Sequence, residues 1–581
     1  MCFLFAPISA GGSFFLLHIS HRLLSSTAGP ASSVLLKLKN VNYRYRASAI
    51  AEAKVALTEY LHSTRALPFS LAEHITSNSP LSLISFVSQI PFNDATPTHF
   101  PRILRSFLSY RPVNEFEFFF ESIGLPPSHP SLPSRSPLFL SDDKCLLDAV
   151  SSLLRFGFPW KLLGILYVEC PSIFSYAPNY LLQRLHRFES LGFHRLCVIA
   201  ICLSFPSTLS ADVDDVELLL LFQDLRIILV EYGLHSRAGD DVHVLFRYCR
   251  RIRVFYDMGL EKGKMGELMG RNMRIFLDFD ESTIAHKLGF FLKLGMRKED
   301  VGPLALKNAE VFDVDLDNQI IVMPDHLLCV GLSKEETDSL TKKFPHVMGK
   351  NNLGNLPALI RALDLRQWLL NKIEEEKNLH LLLRSYDHSD SVSNKMEIEF
   401  ERYLDSLKLV KQCIFLDAKV DFFLSIGFGK NRITAKLVGL VNGSKEQLQE
   451  RFDCLNGLGV QYPKLCRMIS AQPKVLNQCR DMLIEKMKYF CQELRYPLDY
   501  LDNFPAFLCF DLENRTKPRY RILNWLRDNG LMKKPFAPAT VLANSEKKFI
   551  FILSCIHPAA PKQWLEKFSF QNDCSGHNEN S

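Results

Sequence analysis

Leu458-Gly459-Val460, followed fourteen residues past its glycine by Gln472-Pro473-Lys474-Val475-Leu476, decides how this chain folds. A glycine between apolar residues closes a helix, because it takes the left-handed conformation at little steric cost. A second helix runs to Gln472 and stops there, since the residue before proline is pushed out of helical geometry; Pro473 then opens a short third helix. The same apolar-Gly-apolar triplet recurs as Phe156-Gly157-Phe158, Leu191-Gly192-Phe193, Met258-Gly259-Leu260, Leu294-Gly295-Met296, Val330-Gly331-Leu332 and Ile426-Gly427-Phe428. Four of the seven units carry proline at the same offset (Pro171, Pro206, Pro345, Pro473), and six have an apolar residue three positions later. Met273, Ala309 and Val441 fill the slot elsewhere. Glycines 157 and 192, 259 and 295, 295 and 331, and 427 and 459 lie 35, 36, 36 and 32 residues apart. Ser333 and Glu336 have capping-box spacing at the start of one second helix. A unit of this size cannot bury its faces alone, so the units stack: the fold class is all-α, a helical-repeat solenoid of repeats of about 35 residues.

Around this array the composition is that of an ordinary globular chain. The 581 residues include 69 Lys plus Arg and 63 Asp plus Glu, with 47% hydrophobic residues, which excludes a disordered tail or a fibre. The 15 cysteines form no Cys-x-x-Cys pair and read as reduced core thiols. Residues 1–50 contain no acid and five cations, Arg22, Lys37, Lys39, Arg44 and Arg46, among many Ser, Ala and Leu. That composition indicates an organelle transit peptide, with mitochondrion preferred and plastid the alternative. A secretory signal competes, but Met1 to Ile19 carries no Lys or Arg and is broken by Pro7, Gly11 and Gly12. No later run reaches membrane-spanning length. The expected organisation is therefore a transit peptide (1–50), an N-terminal helical region (51–125), a Pro/Ser-rich linker (126–140), the repeat domain (141–535) and a C-terminal tail (536–581).

The unit resembles the repeat of the mitochondrial transcription termination factor (mTERF) family, as in Phe291-Leu292-Lys293-Leu294-Gly295-Met296-Arg297-Lys298-Glu299-Asp300-Val301. The run Leu512-Glu513-Asn514-Arg515-Thr516-Lys517-Pro518-Arg519-Tyr520-Arg521-Ile522-Leu523, with Trp525-Leu526 and Gly530-Leu531 after it, is similar to that family's closing repeat. The resemblance covers roughly 145 to 535, and the chain's size is like that of the large plant branch. Two long intervals, 192 to 259 and 331 to 427, depart from the regular spacing. The resemblance implies a basic trough that binds organellar nucleic acid.

Charge placement agrees with that implication. Residues 430–534 hold 19 Lys plus Arg against 11 acids, whereas 51–429 are net negative. Candidate phosphate-binding residues are Lys430, Arg432, Lys436, Arg467, Lys474, Lys517, Arg519 and Arg521, with a second cluster at Arg247, Arg250 and Arg251. Tyr520 and Trp525 are offered as stacking residues or as core. The expected role is regulation of organelle gene expression, by transcription termination or regulation through double-stranded DNA bound in the basic trough, by a monomer, with organellar transcription or RNA-processing proteins as candidate partners. RNA splicing or maturation and a protein-interaction scaffold are the alternatives. No catalysis, cofactor or metal is expected: there is no phosphate-binding Gly-rich loop and no His-Glu-x-x-His helix. Gly427-Phe-Gly429 lacks a third glycine, and Asp313-Val-Asp315-Leu-Asp317 has Asn318 and Pro324 where a calcium loop needs Gly and Glu.

Overall fold

A computed structural model describes residues 38–568 except 93–94, 127–128, 130–138, 376–378, 385–390, 410–414 and 533. Most of the expected transit peptide and linker, and residues 569–581, lie outside the described residues. The chain is helical, and it divides into two compact units: residues up to 288 with 298–312, and residues 289–297 with 313–581. The division thus falls inside the repeat array.

Every glycine of the seven triplets has positive φ, between 88° and 110°. At Gly157 the closure is complete: its N–H donates to the Leu153 and Leu154 carbonyls, and Phe158 N–H also reaches Leu153 O, at 3.0 Å. Orphan carbonyls of the last helical turn are thereby satisfied. Of the four proline-marked third elements, Pro345 opens only a turn, and three form as 3-10 turns, at Pro171–Ser175, Pro206–Leu209 and Pro473–Asn477. One forms at Ala309–Asp313 without proline, whereas after Arg432–Val438 the chain turns straight into the next repeat at Lys445. The capping box at Ser333 and Glu336 is present, and a second one is made by Ser444 and Gln447.

In the second unit the repeats stack by position. The first helices Leu416–Ser425, Lys445–Gly457 and Arg480–Lys488 pack in series, as do the second helices Arg432–Val438, Tyr462–Ala471 and Tyr500–Asn503. The turns Pro473–Asn477 and Pro505–Cys509 pack on each other. The repeat between residues 480 and 509 has no triplet glycine; Arg495 takes the left-handed conformation instead, with φ 58°. Asp364 does the same at φ 62° within the long interval 331–427. Tyr232-Gly233-Leu234 closes a helix within the interval 192–259.

One expectation is corrected. The segment from 536 is no tail through residue 568: Pro538–Leu542, Glu546–Ile556 and the helical turns to Phe568 bury Val541, Leu542, Phe549, Leu553 and Trp564. Apolar spacing of 3 to 4 residues in this stretch drives it onto the preceding repeat. The fold is all-α as expected, with one small sheet among the described residues, Ile320–Val322 antiparallel to Lys350–Asn352, Ile321 lying opposite Asn351. The described cysteines are all free thiols; Cys197, Cys202, Cys249 and Cys466 are core, but Cys145, Cys479 and Cys555 are exposed.

Candidate nucleic-acid interface

Basic side chains in this fold have three destinations, and only one leaves them available to a polyanion. The first is the closing turn of their own repeat. Arg184 Nε donates to Thr208 O (2.6 Å), Arg251 to Phe276 O and Leu277 O, Arg451 Nη1 to Leu476 O (2.7 Å), Lys486 Nζ to Leu508 O (2.9 Å) and Arg519 Nη1 to Val541 O (2.8 Å). Each cation sits on the first helix and caps carbonyls at the partly negative end of the last element, 22 to 26 residues on. Arg184, Arg251 and Arg451, all half-buried, stand eight residues before the repeat glycine, as do the buried Lys287 and Lys419. In the glycine-free repeat the π-helical turn Tyr489–Glu493 inserts a residue, and Lys486 stands nine before Arg495. Burial pulls Lys486 below the ordinary lysine value, and Arg251 and Arg519 below that of arginine.

The second destination is a carboxylate on the next repeat. Lys464 pairs with Asp499 (2.7 Å) and Arg467 with Asp502 (2.5 Å) along the second helices. Along the first helices Asp421 pairs with Lys445, Glu450 with Arg480 and Glu485 with Lys517 (3.5 Å). Lys517 also pairs with Glu513. In the first unit Glu169 accepts from both Arg250 and Arg253, and Glu281 takes the other side of Arg250 (2.7 Å).

These partners divide the candidate set. Arg250 and Arg519 are buried, at 6% and 2% exposed, and serve as ties between elements. Arg251 belongs to the same class, while Arg467 and Lys517 are held by acids. Tyr520 is core, and Trp525 packs near Phe568 (centroids 6.2 Å apart). Lys430 is half-buried, and its backbone is fixed: its N–H donates to Lys350 O (2.9 Å), in a bridge that extends the small sheet.

The third destination is solvent. Arg432, Lys436, Lys474, Arg521 and Arg247 are exposed and form no ion pair among the described residues. Arg432 and Lys436 lie one turn apart on the helix Arg432–Val438, so they share a face. That helix is pinned from its start: Asn431 caps Thr434 N–H at 3.0 Å and donates to Met348 O at 2.6 Å. Gly429 is there for space, since a Cβ would meet the Val347 carbonyl oxygen at 2.6 Å. Sequence reasoning missed the ties because it treated each cation alone; the signals were the recurrent base eight residues before the glycine and the acid 35 residues after Lys464 and Arg467.

Asp315 accepts from the Asp317 and Asn318 N–H groups (3.1 Å each), a turn closed on itself. Among the described residues no group of three or more His, Cys, Asp or Glu is placed to hold a metal ion, and no helix is long and apolar enough to cross a membrane.

Stacked three-element repeats of this kind define a helical-repeat protein. A family model described as mTERF matches residues 246–353 and 407–550, skipping much of the irregular interval 331–427. The chain is 39% identical over 541 residues to the mitochondrial transcription termination factor MTEF18 of Arabidopsis thaliana, covering 93% of this chain and 96% of that one. It is 22% identical over 399 residues to the chloroplastic transcription termination factor MTERF8 of the same plant, covering 64% and 77%. The chain belongs to the mTERF family. It is a mitochondrial member concerned with organellar gene expression.

Proposed function

We propose that this protein binds double-stranded mitochondrial DNA and regulates its transcription, acting as a terminator by stalling or positioning the polymerase. The observation that carries the reading is the contrast among its cations. The stack neutralises Lys464, Arg467, Lys517 and Arg519 internally, yet leaves Arg432, Lys436, Lys474 and Arg521 exposed and without an ion pair among the described residues of the same region. Cations left unmatched beside others that the stack ties down suit a polyanionic partner, whose condensed counterions they release. The name of the Arabidopsis relative, a transcription termination factor, points the same way. Competition between matched duplex DNA and RNA for the purified chain tests the choice of nucleic acid, because A-form and B-form grooves present different shapes. Preferential displacement by RNA would replace this reading with one in RNA maturation.

A further inference from the structure

The segment that interrupts the repeats between Gly192 and Gly259 carries a long helix, Asp215–Arg226 continued by the π-helical turn Ile227–Glu231. Its inner face is ordinary core: Leu218, Leu221, Phe222 and Leu225 are buried. Its outer face is not ordinary surface. Val216 is 63% exposed, Leu219 45% and Val230 36%, with Gln223 exposed and Ile227 half-buried between them. Isolated apolar surface residues need no explanation, but an apolar row along four turns, interrupted only by Gln223 and with Ile227 partly covered near Gly266, marks an interaction surface. It lies outside both stretches matched by the family model.

The stripe also indicates its occupant. Val216, Leu219, Gln223, Ile227 and Val230 are spaced 3, 4, 4 and 3, so the series has the same spacing and the same kinds of side chain in either direction. Laid antiparallel on a copy of itself about Gln223, it sets Val216 against Val230, Leu219 against Ile227, and Gln223 against Gln223. This is an isologous two-fold arrangement of the kind dimers favour, with a 3-4 spacing suited to helix pairing. The amide of Gln223 both donates and accepts, so two copies satisfy each other. The acids brought together at the ends, Asp215 and Glu231, each carry their own arginine: Arg187 at 3.5 Å and Arg226 at 3.6 Å. We propose that this face pairs with the same face of a second copy of the chain, forming an antiparallel helix dimer centred on Gln223.

Sedimentation velocity on the full chain tests it. One helix face predicts a dissociation constant on the order of micromolar, hence a shift from monomer to dimer over that concentration range. Leu219→Glu and Ile227→Lys should each leave a monomer, and an equimolar mixture of the two variants should recover dimer, since position 219 of one copy faces 227 of the other. A wild type that stays monomeric at about 100 µM, or a mixture that stays monomeric although both variants keep wild-type helicity, overturns the proposal. Should either variant fail to fold, Gln223→Cys decides: diamide oxidation should give a disulfide that peptide mapping places between two copies of residue 223. Bonds only through the exposed Cys145, Cys479 or Cys555 would contradict it.

Discussion

The Arg519 guanidinium donates to the Val541 carbonyl oxygen at 2.8 Å and, on its other nitrogen, to Glu546 at 2.9 Å, joining the closing repeat to the helices that follow it. Arg521, two residues on, points its charge to solvent. Neighbouring arginines in one basic run therefore serve different ends, one in stability and one available for binding.

Arg519→Ala leaves the Val541 carbonyl without its buried donor, the Asn544 carbonyl with Arg515 alone and Glu546 without its arginine, and should cost about 2–4 kcal/mol of stability. Arg521→Ala, on an exposed helical site, should stay within about 0.5 kcal/mol of wild type. Denaturant midpoints of the two variants check the pair of expectations.

Two repeat glycines of similar φ should respond unequally to alanine. A Cβ at Gly192 meets nothing within 4 Å, so Gly192→Ala costs only the left-handed backbone, about 1–2 kcal/mol. At Gly427 the added atom lies 2.5 Å from the Ala358 carbonyl oxygen, and Gly427→Ala should cost at least about 1 kcal/mol more. Equal thermal shifts would contradict the close approach.

Acid should weaken the fold before carboxylates titrate. Burial holds His326 and His346 down to about 4, with the Arg467 charge adding to the effect at His346. Since the folded values lie below the unfolded value near 6.5, the unfolded chain binds more protons between those limits. Stability is then full above pH ~6.5 and falls as pH drops toward 4, by up to roughly 3 kcal/mol per histidine. Unfolding midpoints at about pH 7 and pH 5 measure this, and His346→Phe should reduce the difference.

Much of the fold was legible in sequence because a left-handed helix closure has a residue signature: all seven triplet glycines adopt it. Arg495 and Asp364 adopt the same conformation without glycine, which hid the repeat between residues 480 and 509 and the closure inside the interval 331–427. The helices after 536 were missed because the repeat pattern extends only to about residue 535, although Val541, Phe549 and Trp564 supply a core. For the candidate interface the cations were visible but not their partners. Asp499 and Asp502 stand one repeat beyond Lys464 and Arg467, and a carbonyl acceptor such as Val541 O has no signature in sequence at all.

The most direct measurement is the salt dependence of duplex DNA binding by the purified chain, compared with a variant carrying Arg432→Ala, Lys436→Ala, Lys474→Ala and Arg521→Ala. The solvent-facing set predicts a steep negative slope of log affinity against log salt. In the variant that slope should be shallower by up to about 3–4, at roughly 0.9 for each phosphate no longer neutralised. An unchanged slope in a folded variant, or no duplex binding near physiological salt, would contradict it.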